Sequence, residues 1–302
     1  MKRPQISVVV PSYRQHRTIS RTVESLLRQD FSSYEVIIVD SSADQATEII
    51  RNLCKRSRKL KMILLPERTI AAVQRKIGIS YARADIIATI DTDCIAQSNW
   101  LSEISKRLSA GVQAIGGSFG NGNPESIVGW VNYLVEFSEF LPGSPACAPL
   151  HLASGNMAFY KKVPEQFGYY PPMHLGEDLV ATQIWRQNGV RMLFDPAIRV
   201  DHINRERFIE ALQHQNKLGF SSYVARNRYF VPKDFAAGHP LVFPCLWIYR
   251  LLAVGFRLIR WNRHELLIFI GALPLVILLL LAWNIGFIRG YEAEKKNTEP
   301  TN

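Results

Sequence analysis

The sequence predicts an α/β fold: a mostly parallel sheet flanked by helices, followed by apolar C-terminal helices. Three observations carry this. Continuous apolar runs of about five residues recur, apolar residues at helical spacing follow each run, and one long stretch near the C-terminus has no charge. Strands covered on both faces read as unbroken apolar runs, and their alternation with amphipathic helices implies βαβ units.

Ile6 to Val10 is β-branched and ends at Pro11-Ser12-Tyr13; Ile19, Val23, Leu26 and Leu27 then mark a helix. Glu35 to Val39 is a second buried strand ending at Asp40, and Ala46, Ile49, Ile50 and Leu53 mark the next helix. Lys61 to Leu65 is a third strand, with a helix over Thr69 to Tyr81 that turns Ile70, Val73 and Ile77 inward. Asp85 to Ile90 is the fourth strand, and a helix follows near Asn99 to Ser109. Beyond it the pattern loosens. Gly116 to Pro124 reads as a loop, and Leu141 to Pro149, with three prolines, as a mobile segment near an acceptor. Arg191 to Phe194 is a short strand ended by Asp195-Pro196.

The chain has 302 residues, 47% of them hydrophobic, enough for one large α/β domain and an appendage. Its four cysteines are scattered without a C-x-x-C pair, which excludes a disulfide scaffold and fits a reducing compartment. The start runs straight into a strand pattern, without the apolar core and cleavage site of a signal peptide. Net charge is +10, but no basic–aromatic motif points to nucleic acid; the charge favours an anionic membrane face and anionic substrates. Neither G-x-G-x-x-G nor a P-loop is present.

Leu266 to Ile288 carries no charged side chain and is long enough to span a bilayer, with Trp283 and Trp261 at the two interfaces. Upstream, Leu241 to Trp261 is apolar but carries Arg250, Arg257 and Arg260, read as one face opposite Leu246, Ile248 and Val254. The expectation is a helix lying in the interface with its arginines toward headgroups; a second span is the alternative. Basic residues ahead of the span place the main domain in the cytoplasm, at the inner membrane. The domain boundaries are therefore 1–235, an interfacial region 236–264, a single span 265–289 and a polar tail 290–302.

The chemistry begins at Asp91-Thr92-Asp93, where the fourth strand ends. Ligands in open α/β sheets bind beyond the carboxyl ends of the strands, and two carboxylates there suit Mg²⁺ or Mn²⁺ with substrate phosphates. By itself the pair reads sooner as an Asx turn and cap of the next helix.

Six segments in order widen the argument. They are Val8-Val9-Val10-Pro11-Ser12-Tyr13, Glu35-Val36-Ile37-Ile38-Val39-Asp40, Arg75-Lys76-Ile77-Gly78, Asp91-Thr92-Asp93, Gly155-Asn156-Met157-Ala158 and Gly176-Glu177-Asp178-Leu179. In order and spacing this set resembles the family 2 glycosyltransferases of the GT-A fold. The resemblance implies a nucleotide-sugar donor bound by Pro11, Ser12, Tyr13, Asp40, Arg75 and Asp91. Asp93, with Asp91, would hold a divalent ion, and His202 is a secondary candidate beside them. Asp178 would be the general base that takes the proton of an attacking hydroxyl. Gly155, Asn156 and Glu177 would lie on the acceptor side, although Glu177 also suits an acidic first helical turn.

Two departures stand out. Many relatives carry Asp-Asp-Gly-Ser where this chain has Asp40-Ser41-Ser42-Ala43. The Gln-x-x-Arg-Trp signature of processive synthases is also missing around Gln213 to Arg226, which implies one transfer per acceptor. The expected activity is inverting, metal-dependent transfer to a hydroxyl of a lipid-linked acceptor in envelope or exopolysaccharide synthesis, with no protein partner implied. The alternatives are a polyprenyl-phosphate sugar synthase and a non-catalytic nucleotide-sugar sensor in the membrane.

Overall fold

The computed structural model describes residues 3–229 and 239–298. In chain order the first half runs β1 (Ile6–Ser12), α1 (Ile19–Leu27), β2 (Tyr34–Asp40), α2 (Gln45–Arg56), β3 (Leu60–Leu64), α3 (Ala71–Tyr81), β4 (Ile86–Ile90), β5 (Cys94–Ala96) and α4 (Trp100–Leu108). The second half runs β6 (Ala114–Asn121), α5 (Ile127–Phe137), β7 (Asn156–Tyr160), α6 (Lys162–Phe167), α7 (Glu177–Gln187), β8 (Met192–His202) and α8 (Phe208–Arg228). A 3-10 helix (Pro240–Cys245), α9 (Leu246–Trp261), α10 (Arg263–Gly271) and α11 (Leu273–Thr298) follow.

The strands form one sheet in the order β3-β2-β1-β4-β7-β6-β8-β5. β1 pairs in parallel with β2 and β4, and β2 with β3, so the carboxyl ends of the first four strands share one edge, with Ser12 opposite Asp40. β7 runs antiparallel to both β4 and β6. β8 returns parallel to β6, and β5 closes the far edge antiparallel to it. β1 and β2 are buried at every position, which is why their sequences show no alternation.

Three readings change in the second half. Gly116 to Asn121 is strand, not loop: β6 is small and polar because Tyr133, Phe137 and Phe140 from α5 and its end supply the bulk. β8 does not stop at Asp195-Pro196; a register shift opposite Gly117/Ser118 absorbs the proline and pairing resumes to His202. The segment around Leu141 to Pro149 is pinned: Cys147 and Phe194 exchange both backbone bonds, and Gly143 N–H donates to Asn262.

α3 is present, but Ala72, Gln74, Arg75, Gly78 and Ile79 are buried, while Ile70, Val73 and Ile77 are half-buried. Its inner face is partly polar because its first turns border the cleft described below.

The C-terminal helices differ most. Residues 266–288 are not one helix: the chain breaks between Gly271 and Leu273, where Pro274 lacks the N–H that would continue α10. Val276, Leu279 and Leu280 of α11 join the main core, and Trp283 is buried under the Arg250 guanidinium, 4.2 Å from its ring. Gly286 meets the Asn216 carbonyl of α8, and a Cβ there would lie 1.9 Å from that oxygen. Trp283 therefore packs inside the protein, not at an interface. α11 also continues through the expected polar tail as far as Thr298.

Arg250, Val254, Arg257 and Leu258 share one face of α9. Val254 and Leu258 are buried there, and Arg257 bonds Ser138 and Glu139. These arginines turn toward the domain, and the apolar side chains turn outward: Tyr249, Leu252, Phe256 and Ile259 are all more than half exposed. Leu246 and Val254 sit beside the arginines, because a step of four residues stays on one helical face. Two helices, Pro240–Trp261 and Leu273–Lys296, are long and apolar enough to cross a membrane; only 22% and 44% of their apolar windows are buried. The expected boundary at 235/236 and residues 299–302 lie outside the described residues.

Candidate active site

A cleft of about 550 Å³ opens over the carboxyl ends of β1 and β4. Pro11 and Tyr13 follow from β1, Asp91 and Asp93 from β4, Ser154 and Gly155 precede β7, and Glu177 and Asp178 open α7. His202 ends β8 and completes the far wall.

Arg75 ties the near wall together. Nη2 donates to Asp91 Oδ1 and Nη1 to Glu177 Oε1, both at 2.6 Å. Burial works against the guanidinium charge, but Asp91 and Glu177 outweigh it and raise the pKa. Burial pushes the Glu177 carboxyl up to about 7, against the pull of Arg75. Arg75 is thus committed to two carboxylates rather than turned outward. Gly155 lies against Asp91, where a Cβ would sit 2.8 Å from Oδ2.

At the β1 end of the cleft, two guanidinium groups lie near the half-buried Tyr13 ring, Arg14 at 5.4 Å and Arg68 at 5.0 Å. Ser12 and Asp40 are buried and are not on the cleft wall. Asp40 accepts from Ser42 (2.6 Å) and Thr47 (2.5 Å) and so fastens the turn into α2.

The other carboxylate pole is built on α7. Asp178 is half-buried, and its oxygens accept from the Ser154 and Leu179 N–H groups at 2.9 and 2.8 Å. Asn156 is not at the cleft: its amide donates to the Ser118 and Ile198 carbonyls and accepts from Trp100, clasping β6 and β8.

Asp93, Cys94 and His202 offer ligand atoms within 4.8 Å of one another. His202 Nε2 is 3.6 Å from Asp93 Oδ1, and Nδ1 is 2.9 Å from Asn204 Oδ1. The Asn204 amide nitrogen donates to Asn121 and to the His202 carbonyl, so its oxygen is the atom facing the ring. That puts a proton on Nδ1 and leaves Nε2 as the ring nitrogen facing Asp93. Burial, with Asp93 and Asp91 nearby, raises the Cys94 thiol well above its ordinary value. One carboxylate and one imidazole nitrogen fit Mn²⁺ sharing its shell with phosphate oxygens; Mg²⁺, which prefers oxygen ligands, would rest on the carboxylate.

Sequence reasoning missed Glu136 and His214, which both line the cleft and bond each other at 3.1 Å. Burial works against the Glu136 charge, but His214, Arg205 and His202 hold its carboxyl well below the usual range. The available signal was Asn132 and Glu136, a polar pair four residues apart in the otherwise apolar helix 127–137.

A family model described as glycosyl transferase family 2 matches residues 7–166. A glucosyltransferase of Escherichia coli, WfgD, named for UDP-Glc and α-D-GlcNAc-diphosphoundecaprenol, is 29% identical over 125 residues; these are 41% of this chain and 49% of that protein. Putative glycosyltransferase EpsH of Bacillus subtilis is 36% identical over 94 residues, 31% of this chain and 27% of the relative. The aligned region thus spans less than half the length of either relative. In fold, the chain is similar to the mannosyltransferase PcManGT of Pyrobaculum calidifontis, solved with GDP-Man and Mn²⁺, at TM-score 0.62 and 17% identity. That match covers 99% of this chain and 89% of the other.

Proposed function

From the membership of this chain in glycosyl transferase family 2, we propose that it moves a sugar, with inversion, from a nucleotide-diphosphate donor to a hydroxyl of a lipid-linked acceptor. The transferase unit is residues 1–235, and the apolar helices after it face a membrane. The observation that carries the reading is the division of the cleft into two poles. Asp93 and Nε2 of His202 form one, and Asp178, held by two backbone N–H groups, forms the other.

A displacement of this kind needs that division. Negative charge grows on the leaving diphosphate while the attacking hydroxyl loses a proton at another place. Asp93 and His202 would hold Mg²⁺ or Mn²⁺, which when bound neutralises charge on the diphosphate. Tyr13, flanked by Arg14 and Arg68, offers a flat face for the nucleotide base with cations near its phosphates. Asp178 accepts the proton, and Arg75 positions Asp91 and Glu177 between the two poles.

The lipid-linked acceptor rests on two supports. WfgD and a Campylobacter jejuni glucosyltransferase, 26% identical over 120 residues, are both named for undecaprenol-linked substrates. The exposed apolar side chains of α9 and α10 give this chain a face suited to one leaflet of a bilayer. The same supports favour an envelope or exopolysaccharide pathway, and the basic residues ahead of residue 266 favour a catalytic domain on the cytoplasmic side of the inner membrane.

The test is nucleotide release from UDP-, GDP- and dTDP-sugars by detergent-solubilised protein, with Mn²⁺, Mg²⁺ or chelator, with and without a membrane lipid extract. Release that requires one donor, a metal and the lipid is expected. Donor binding without release under every condition would instead favour a nucleotide-sugar sensor.

A further inference from the structure

A second cavity, of about 460 Å³, lies beside the end of β6 and next to the cleft along α5: Trp130 and Tyr133 line the cavity, and Glu136 and Phe137 line the cleft. Phe119 faces the cleft, while the next residues, Gly120 and Asn121, face this cavity. Its other walls are α5, the turn at Pro142-Gly143 and the elbow between α9 and α10. No residue given a role above in binding donor, metal or proton lines it.

The lining is of one chemical kind. Trp130, Tyr133 and Trp261 supply aromatic surface, and Asn121, Asn262 and Glu265 supply hydrogen-bonding groups. Asn262 is 2% exposed, and its oxygen accepts from Gly143, but its Nδ2 is buried with no partner among the described residues. Asn121 Nδ2 and Glu265 Oε2 are left in the same condition. Buried polar groups are rarely left unpaired, and three around one cavity mark a place where a ligand's polar atoms complete the bonding.

Charge decides what kind of ligand. Arg199 also lines the cavity, but Nε and Nη2 both donate to Asp201 at 3.0 and 2.9 Å, which neutralises it. Glu265 adds a carboxylate. A phosphate or other anion would meet no uncompensated cation except a protonated His264. A neutral polyol fits instead: its C–H face covers an indole, and its hydroxyls, both donors and acceptors, reach amide and carboxylate groups. The volume admits about one or two sugar rings.

We propose that this cavity is a second saccharide site, taking a neutral sugar ring of the acceptor glycan other than the one that reacts. The identity of the occupant as acceptor rests on the transferase reading; the binding of a neutral sugar does not. The elbow that forms the cavity joins the two helices bearing the exposed apolar face, and α5 lines both this cavity and the cleft, so the cavity sits between that face and the reacting site along one helix.

The test is a titration of the full chain, without donor, with glucose, N-acetylglucosamine, maltose and cellobiose, read by saturation-transfer NMR; glucose 1-phosphate is the charged probe. At least one neutral sugar is expected to bind saturably. Trp261→Ala should weaken it about tenfold, Trp261→Phe should restore most of it, and Asp178→Asn should leave it unchanged. Donor hydrolysis by Trp261→Phe should match wild type, which separates this site from the transferase reading. The proposal fails if no neutral sugar binds, if Trp261→Ala binds as wild type does, or if Asp178→Asn abolishes binding and so places it in the cleft. Tighter binding of glucose 1-phosphate would also overturn it, by making the cavity an anion site.

Discussion

Arg75 on α3 and Glu177 at the start of α7 are 102 residues apart in sequence and pair at 2.6 Å inside the protein. The same guanidinium holds Asp91 at 2.6 Å, so one side chain sets the spacing between the end of β4 and the first turn of α7. Arg75→Met strands two carboxylates, one of them buried, and should cost about 3–5 kcal/mol of stability. Arg75→Lys keeps the charge but not the fork; it should fold better than Arg75→Met yet lose most transfer, because a point charge cannot hold both carboxylates. Thermal unfolding and turnover of the two variants check this, and wild-type turnover in Arg75→Lys would remove the positioning role.

β1, β2 and β4 and the helices between the strands were legible because these strands are buried at nearly every position and written as apolar runs; β3, at the sheet edge with Lys61 and Leu64 exposed, was legible from its Met62-Ile63-Leu64 run. β6 was not, since a strand of Ala-Ile-Gly-Gly-Ser-Phe-Gly-Asn shows no run and no alternation; its bulk is supplied by α5. Asp91, Asp93, Asp178 and His202 were readable as a set, and they line one cleft. The inward turn of Asp40 and Asn156 was not, because nothing local says that Thr47 or Trp100 will reach their side chains. The wheel of α9 was readable in principle. Residues four apart share a face, so Arg250 and Val254 belong together, and apolar residues on the opposite face imply an apolar environment outside.

Asp178→Asn keeps the shape of the side chain and removes the proton acceptor. Transfer to a hydroxyl should fall by about 10²–10⁴, while donor binding stays near wild type. Calorimetric donor binding beside product formation makes the measurement. An acceptor that is already an ionised phosphate needs no base, so retained activity in this variant would point to polyprenyl-phosphate sugar synthesis.

Leu252 and Phe256 are 67% and 59% exposed on α9, one turn apart. Burying each in lipid is worth about 1.5–3 kcal/mol. The double variant Leu252→Glu, Phe256→Glu should therefore lose co-flotation with anionic vesicles while unfolding at the same temperature as wild type. Unchanged flotation would move the membrane contact away from α9.

Asn204 touches no proposed donor atom, yet its oxygen fixes the His202 tautomer. Asn204→Ala should weaken Mn²⁺ binding about 10–100-fold, measured by the resonance signal of free Mn²⁺ in the presence of donor nucleotide. Asn204→Asp, which keeps an acceptor for Nδ1–H, should recover part of that loss. Equal affinity in all three proteins would show that Asp93 binds the ion without His202.

Glu35 gives the fold a pH dependence of its own. It sits in β2 opposite Ser7 and accepts from Ser7 Oγ, Lys61 Nζ and both the backbone and side chain of Arg83 at 2.7–2.9 Å. Burial works to raise its pKa, but Lys61, Arg83 and Ser7 outweigh it and lower it to about 2. Between that value and its unfolded value the unfolded chain binds more protons, so stability rises with pH. The contribution is complete above the unfolded pKa of 4.5 and is lost as pH falls through about 2. Because Lys61 and Arg83 are 45% and 42% exposed, solvent screening trims the full value to about 2 kcal/mol. Glu35→Gln should be less stable than wild type by that amount at neutral pH, and the gap should close as the medium is taken toward pH 2. Denaturant unfolding of both proteins across that range checks it; a gap independent of pH would mean that packing, not charge, holds Glu35 in place.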